Sequence, residues 1–163
     1  MMAQSKLAPA GLLLLLALAA PHDTAQAATG AFAAMAGSWS GGGTLTMTDG
    51  AQERLRCRAV YSPDSGGDSL HLNLQCASDS YKFDVASDVV NRDGAISGSW
   101  NEASHNASGS VSGRASGNSI QATARGGNFA TVLSLTTSGN RQSVTLPPQG
   151  TDVRAVSVTL AKR

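Results

Sequence analysis

Residues 52–61 alternate without interruption. Leu55, Cys57, Ala59 and Tyr61 occupy one set of positions, and Arg54, Arg56 and Arg58 lie between them. Residues 69–76 repeat the pattern, with Leu70, Leu72, Leu74 and Cys76 set against His71, Asn73 and Gln75. A period of two puts successive side chains on opposite faces of an extended strand, so each strand has one buried and one wet face. The same period recurs at 39–47, 81–90, 95–101, 107–114, 119–125, 129–137, 141–146 and 153–160. Turn formers separate these segments: Asp49-Gly50, Arg92-Asp93-Gly94, Ser116-Gly117-Asn118, Ser138-Gly139-Asn140 and Pro147-Pro148. A load of 18 glycines with only 4% aromatic residues also occurs in disordered chains. Here, however, the glycines stand in short groups between alternating apolar residues. The expected fold is all-β: one antiparallel up-and-down barrel of about eight to ten strands, with a β-sandwich as the alternative.

The N-terminal residues 1–27 have a different design. A weakly basic start with Lys6 precedes an apolar run at 12–20, and Ala25-Gln26-Ala27 forms a small-x-small cleavage site. That is the layout of a secretory signal peptide, and the run is too short to cross a bilayer. The mature chain is expected to start at Ala28. No cysteine lies near the cleavage site, so a lipid-anchored N-terminus is not expected, and no second long apolar run offers a transmembrane helix. The expected organisation is a signal peptide at 1–27, a short segment with a helical turn at 28–36 and a barrel domain at 37–163. The expected location is periplasmic or secreted. A net charge of +1 with acids and bases interspersed argues against a nucleic-acid binder.

Two cysteines in an exported chain are expected to form a disulfide. If Gly66-Gly67 is the centre of a two-residue turn, residues whose numbers sum to 133 face each other. Cys57 then faces Cys76, Ala59 faces Leu74 and Tyr61 faces Leu72. A longer loop around Pro63-Asp64 would shift this pairing. Closing a loop of about 20 residues contributes about 3 kcal/mol on the chain-entropy estimate.

No catalytic set is apparent. His71 falls on the polar face of its strand and His105 in the loop 102–106, with no spacing to cysteines or carboxylates that would make a metal site. No serine stands in a Gly-x-Ser-x-Gly elbow. Residues 88–94 lack the ligand spacing of a calcium loop. No cofactor is expected. Arg54, Arg56 and Arg58 line one strand face, either as a solvated stripe or as a patch for an anionic surface.

Gly37-Ser38-Trp39-Ser40 recurs as Gly98-Ser99-Trp100-Asn101, and these hold both tryptophans of the chain. At Ala36-Gly37-Ser38-Trp39-Ser40-Gly41-Gly42-Gly43, followed by a meander of strands, the chain resembles calycin-type barrels, the lipocalins and nitrobindin-like proteins. The resemblance implies a tryptophan plugging one end of the barrel and an interior that holds a small apolar ligand or haem. No histidine follows His105 to serve as the haem ligand of nitrobindin-like barrels, and the second lipocalin motif is missing. The chain also resembles uncharacterised exported proteins of alphaproteobacteria. The leading expectation is a non-enzymatic binder of a small apolar molecule, with Trp39, Leu72, Leu74, Trp100 and Leu133 as pocket or core lining. The alternative is a cell-envelope interaction protein, or an inhibitor of a secreted protease, acting through the loops 102–107 and 126–128.

Overall fold

The structure, a computed structural model, describes residues 29–163. The expected signal peptide and its cleavage site lie outside these residues. Ten strands follow a single 3₁₀ turn at Ala33–Met35: β1 (Gly37–Met47), β2 (Gln52–Pro63), β3 (Ser69–Ala77), β4 (Lys82–Arg92), β5 (Ala95–Glu102), β6 (Ala107–Ser116), β7 (Ser119–Gly126), β8 (Phe129–Ser138), β9 (Arg141–Leu146) and β10 (Val153–Lys162). Each strand pairs antiparallel with its sequence neighbours, and β10 pairs with β1 to close the barrel. Closure leaves every strand with two partners and removes the exposed edges that a sandwich would retain.

The register of β2 on β3 is the one the cysteine spacing requires: Cys57 faces Cys76, Ala59 faces Leu74 and Tyr61 faces Leu72. The loop differs from expectation. It runs over five residues rather than two, because β2 ends at Pro63 and β3 begins at Ser69. Pro63 still faces Leu70, so the pairing sum is unchanged. The Asp64 carboxylate shapes the loop by accepting the amides of Asp68 (2.9 Å) and Ser69 (3.1 Å). Cys57 and Cys76 are joined as a disulfide, with Cα atoms 4.1 Å apart. That separation belongs to a non-hydrogen-bonded antiparallel pair.

Alternation sorts the wall. Leu55, Cys57, Ala59 and Tyr61 are buried while Arg54, Arg56 and Arg58 are exposed. Apolar groups thus point into the barrel and polar ones out, the reverse of a barrel that crosses a membrane on its strands. Among the described residues no helix is long and apolar enough to cross a membrane.

One end of the barrel, where the chain enters and leaves, is plugged. The amides of Gly30 and Phe32 donate to the carbonyls of Gly66 (3.1 Å) and Gly67 (2.8 Å), which straps the 3₁₀ turn across the β2–β3 loop. A Cβ on Gly30 would strike the backbone of that loop, so glycine is required for the approach. Phe32 and Met35 are buried beneath the strap, and the Trp39 indole N–H donates to the Met35 carbonyl at 2.7 Å.

Candidate functional site

The interior is lined unevenly. On β3 the inward positions are Leu70, Leu72, Leu74 and Cys76. On β6 they are Ala107, Gly109, Val111, Gly113 and Ala115, and on β7 Ile120, Ala122, Ala124 and Gly126. The β6–β7 wall therefore donates little side-chain volume to the lumen. Trp100, Gly109, Gly126 and Phe129 stand in one cross-strand row. The two glycines let the Trp100 and Phe129 rings lean over β6 and β7 until their centroids are 5.3 Å apart, edge to face.

The five expected lining residues all point inward, but they divide into two groups. Trp39 is 1% exposed and belongs to the plugged end, edge-on to Tyr61 at 6.3 Å. Leu72, Leu74 and Leu133 remain only partly buried although they share a face with buried neighbours, and Trp100, buried, stands in the cross-strand row of Leu72. An eight-stranded barrel is just wide enough for its own side chains or one small ligand, and width grows with strand number. Ten strands with glycine and alanine along one wall make a wider barrel lined by less side-chain volume.

Polar groups inside the barrel are few. Trp100 Nε1 and Thr131 Oγ1 are buried without a hydrogen-bond partner, as are Asn91 Oδ1 and Gln142 Oε1. Gln142 is fully buried near the plugged end and donates to Thr137 Oγ1 at 3.3 Å. Burial pushes the Tyr61 phenol well above its ordinary value, against a weaker opposing pull from Gln142. Sequence reasoning missed Thr131 and the Gly109–Gly126 gap. The available signal was their parity with Leu133, Phe129 and Val111.

The end opposite the plug has an aromatic rim. Tyr81 stacks on Phe83 at 6.0 Å, and Phe83 meets the His105 ring at 5.9 Å. Glu102, inward and buried on the last turn of β5's alternation, accepts the amides of Asp84 (2.7 Å), Ser104 (3.0 Å) and His105 (2.7 Å), and pairs with His105 Nδ1 at 2.7 Å. Burial works to raise its carboxyl, but these donors outweigh it and hold the group down at about 2. The β5–β6 loop, one of the loops expected to carry interactions, is therefore tied to the barrel by a buried carboxylate.

The remaining candidates lie outside. Arg54, Arg56 and Arg58 are exposed, and among the described residues no carboxylate forms a salt bridge with them. A shallow groove of about 470 Å³ runs along the outer wall past Ser62, Asp64, His71, Asp88 and Ser97. Both ring nitrogens of His71 are engaged there, with Asp88 at 2.7 Å and Asn73 at 3.1 Å. Among the described residues no group of three or more His, Cys, Asp or Glu gathers as a metal site.

Neither a protein-family model nor a curated protein sequence matches the chain. Among solved structures the barrel is similar to an S-type phycobiliprotein lyase, CPES, from Guillardia theta. The TM-score is 0.60 at 9% identity, covering 81% of this chain and 89% of that one. At that identity the likeness concerns the fold alone. It fits the calycin-like barrel expected from the Gly-x-Trp opening.

Proposed function

We propose that the chain is an exported, non-enzymatic carrier that holds a small, largely apolar molecule inside its barrel. The ligand would occupy the half of the lumen bounded by Leu72, Leu74, Trp100, Thr131 and Leu133 and enter past the aromatic rim. The observation that carries this reading is the incomplete burial of Leu72, Leu74 and Leu133, which stand at inward positions of their strands. Ligand pockets are concave and lined mainly by apolar groups such as these inward leucines. The plug at one end and the likeness to a phycobiliprotein lyase barrel support the same reading. The disulfide and the polar outer wall suit a soluble protein of the periplasm or the exterior.

Native mass spectrometry of the protein purified from its own host tests this. The expected result is a mature chain beginning at Ala28 and carrying a small organic adduct that is lost on unfolding. A bare chain, with no adduct recovered from any preparation, would sink the carrier reading. A second reading, an envelope interaction protein, is favoured by one observation: the unpaired row Arg54, Arg56 and Arg58. Co-sedimentation with anionic vesicles that is abolished by replacing all three with Gln would support it.

A further inference from the structure

We infer that the outer wall of β9, β10, β1 and β2 binds an acidic polysaccharide, laid along a floor of small residues beside a bank of arginines. This is independent of what the lumen holds; it rests on the second reading above and names the partner. Strand register lays out the surface. Arg58, Ser40, Ala161 and Arg141 form one cross-strand row. Arg56, Gly42, Thr159 and Ser143 form the next, and Arg54, Thr44, Ser157 and Thr145 a third. These positions alternate with the buried Leu55, Cys57, Val158 and Leu160, so all three rows face outward. Arg163, the next outward residue after Ala161, donates to the Ser40 hydroxyl. Long side chains thus stand on β2 and at Arg141 and Arg163, while in these rows β1 and β10 carry nothing larger than threonine.

Charge defines the partner. Glu53 is the only acidic side chain in these four strands, and it stands opposite the buried Leu45 on the inner face. There it accepts from the Ser78 hydroxyl at 2.6 Å and the Ser80 amide at 3.0 Å. The first outward carboxylates on the neighbouring strands, Asp84 and Asp88, belong to β4, with β3 between. Among the described residues no arginine is in a salt bridge, so the forks of Arg54, Arg56 and Arg58 are open to carboxylates. Alternate residues of a strand lie roughly 6.7 Å apart, which suits charges repeated along a chain better than a single anion. Thr44, Ser157 and Thr159 can each donate and accept hydrogen bonds, as sugar hydroxyls require. Other polyanions fit worse. Single-stranded nucleic acid stacks its bases on aromatic rings, and the two aromatic residues of these strands, Trp39 and Tyr61, are buried. A lipid surface is held by inserted apolar groups as well as by charge, and Val60 is the one large apolar side chain exposed on these strands.

Calorimetric titration of the mature protein with a polygalacturonate oligomer, an uncharged dextran oligomer and phosphatidylglycerol vesicles separates these cases. Polygalacturonate is expected to bind, about tenfold more weakly as salt rises from about 50 to 200 mM. Dextran and vesicles are expected not to bind. Ala161→Glu, an exposed change on the floor, is expected to weaken polygalacturonate by about tenfold with an unchanged melting temperature. Arg114→Gln with Arg125→Gln alters the opposite wall, β6 and β7, and is expected to leave binding unchanged. An equal loss from that pair would overturn the inference, because attraction would then follow net charge alone. Vesicle binding without polygalacturonate binding would overturn it while leaving the envelope reading in place. If neither binds, both fall together.

Discussion

Glu102 shows how much a single side chain can organise. Its carboxyl is held at about 2 in the folded protein, against roughly 4.3 for an unperturbed glutamate. A depressed folded value means that the stability it contributes is complete above about pH 5 and is lost as pH falls through the folded value. Thermal melts between pH 5 and 2 are therefore expected to fall more steeply for the native protein than for Glu102→Gln. Glu53 and Asp64 are also lowered by their hydrogen bonds, so the substitution flattens the slope only in part. An unchanged slope would remove Glu102 from the acid response. The disulfide acts at the same scale. Cys57 and Cys76 close a segment of 19 residues, and replacing both with Ser is expected to cost about 3 kcal/mol in urea unfolding. The cysteine pairing was legible because parity and turn position together allow one partner. The role of Glu102 was not, because its donors come from β4 and from the loop beyond β5, and nothing in the local pattern announces them.

Individual strands were the most legible part of this protein. Arg141–Leu146 is the expected segment residue for residue, and the others are longer by one or two residues at an end. The extra residues are polar or small ones, such as Ser62, Ala77 and Lys162, which lack the apolar alternation that marks a strand but pair because the neighbouring backbone offers partners. The helical turn expected within 28–36 is a single 3₁₀ turn at Ala33–Met35, and the amides of Gly30 and Phe32 ahead of it go to the β2–β3 loop. That plug predicts its own energetics. Phe32 is 1% exposed, and Phe32→Ala is expected to cost about 3 kcal/mol and to red-shift Trp39 fluorescence as water reaches the plugged end. The Gly109–Gly126 gap makes a second test. A Cβ on Gly109 would run into the Arg125 carbonyl. Gly109→Val is therefore expected to lower the melting temperature and to erase the near-ultraviolet dichroism of the Trp100–Phe129 pair.

For the molecule as a whole, closure is the decisive event. β10 seals the wall against β1, with Trp39 opposite Lys162 and Leu45 opposite Val156. Removing β10 would leave β1 and β9 as open edges. A chain truncated after Leu146 is expected to elute as aggregate in size-exclusion chromatography, and a monomeric elution would count against closure as the source of solubility. Local alternation by itself determined that the chain is all-β, which faces are buried, and that Cys57 meets Cys76, because side-chain parity and hairpin register are set by neighbours in sequence. Whether the strands would close into a barrel or split into two sheets was open at that level, since both architectures satisfy the same alternation. Only the tertiary structure decided this, along with the partial burial of Leu72, Leu74 and Leu133 and, among the described residues, the four buried polar atoms without partners. The physical reason is distance in the chain. Strand closure joins residues more than 100 positions apart, and the meeting of the Trp100 and Phe129 rings over Gly109 and Gly126 takes four different strands.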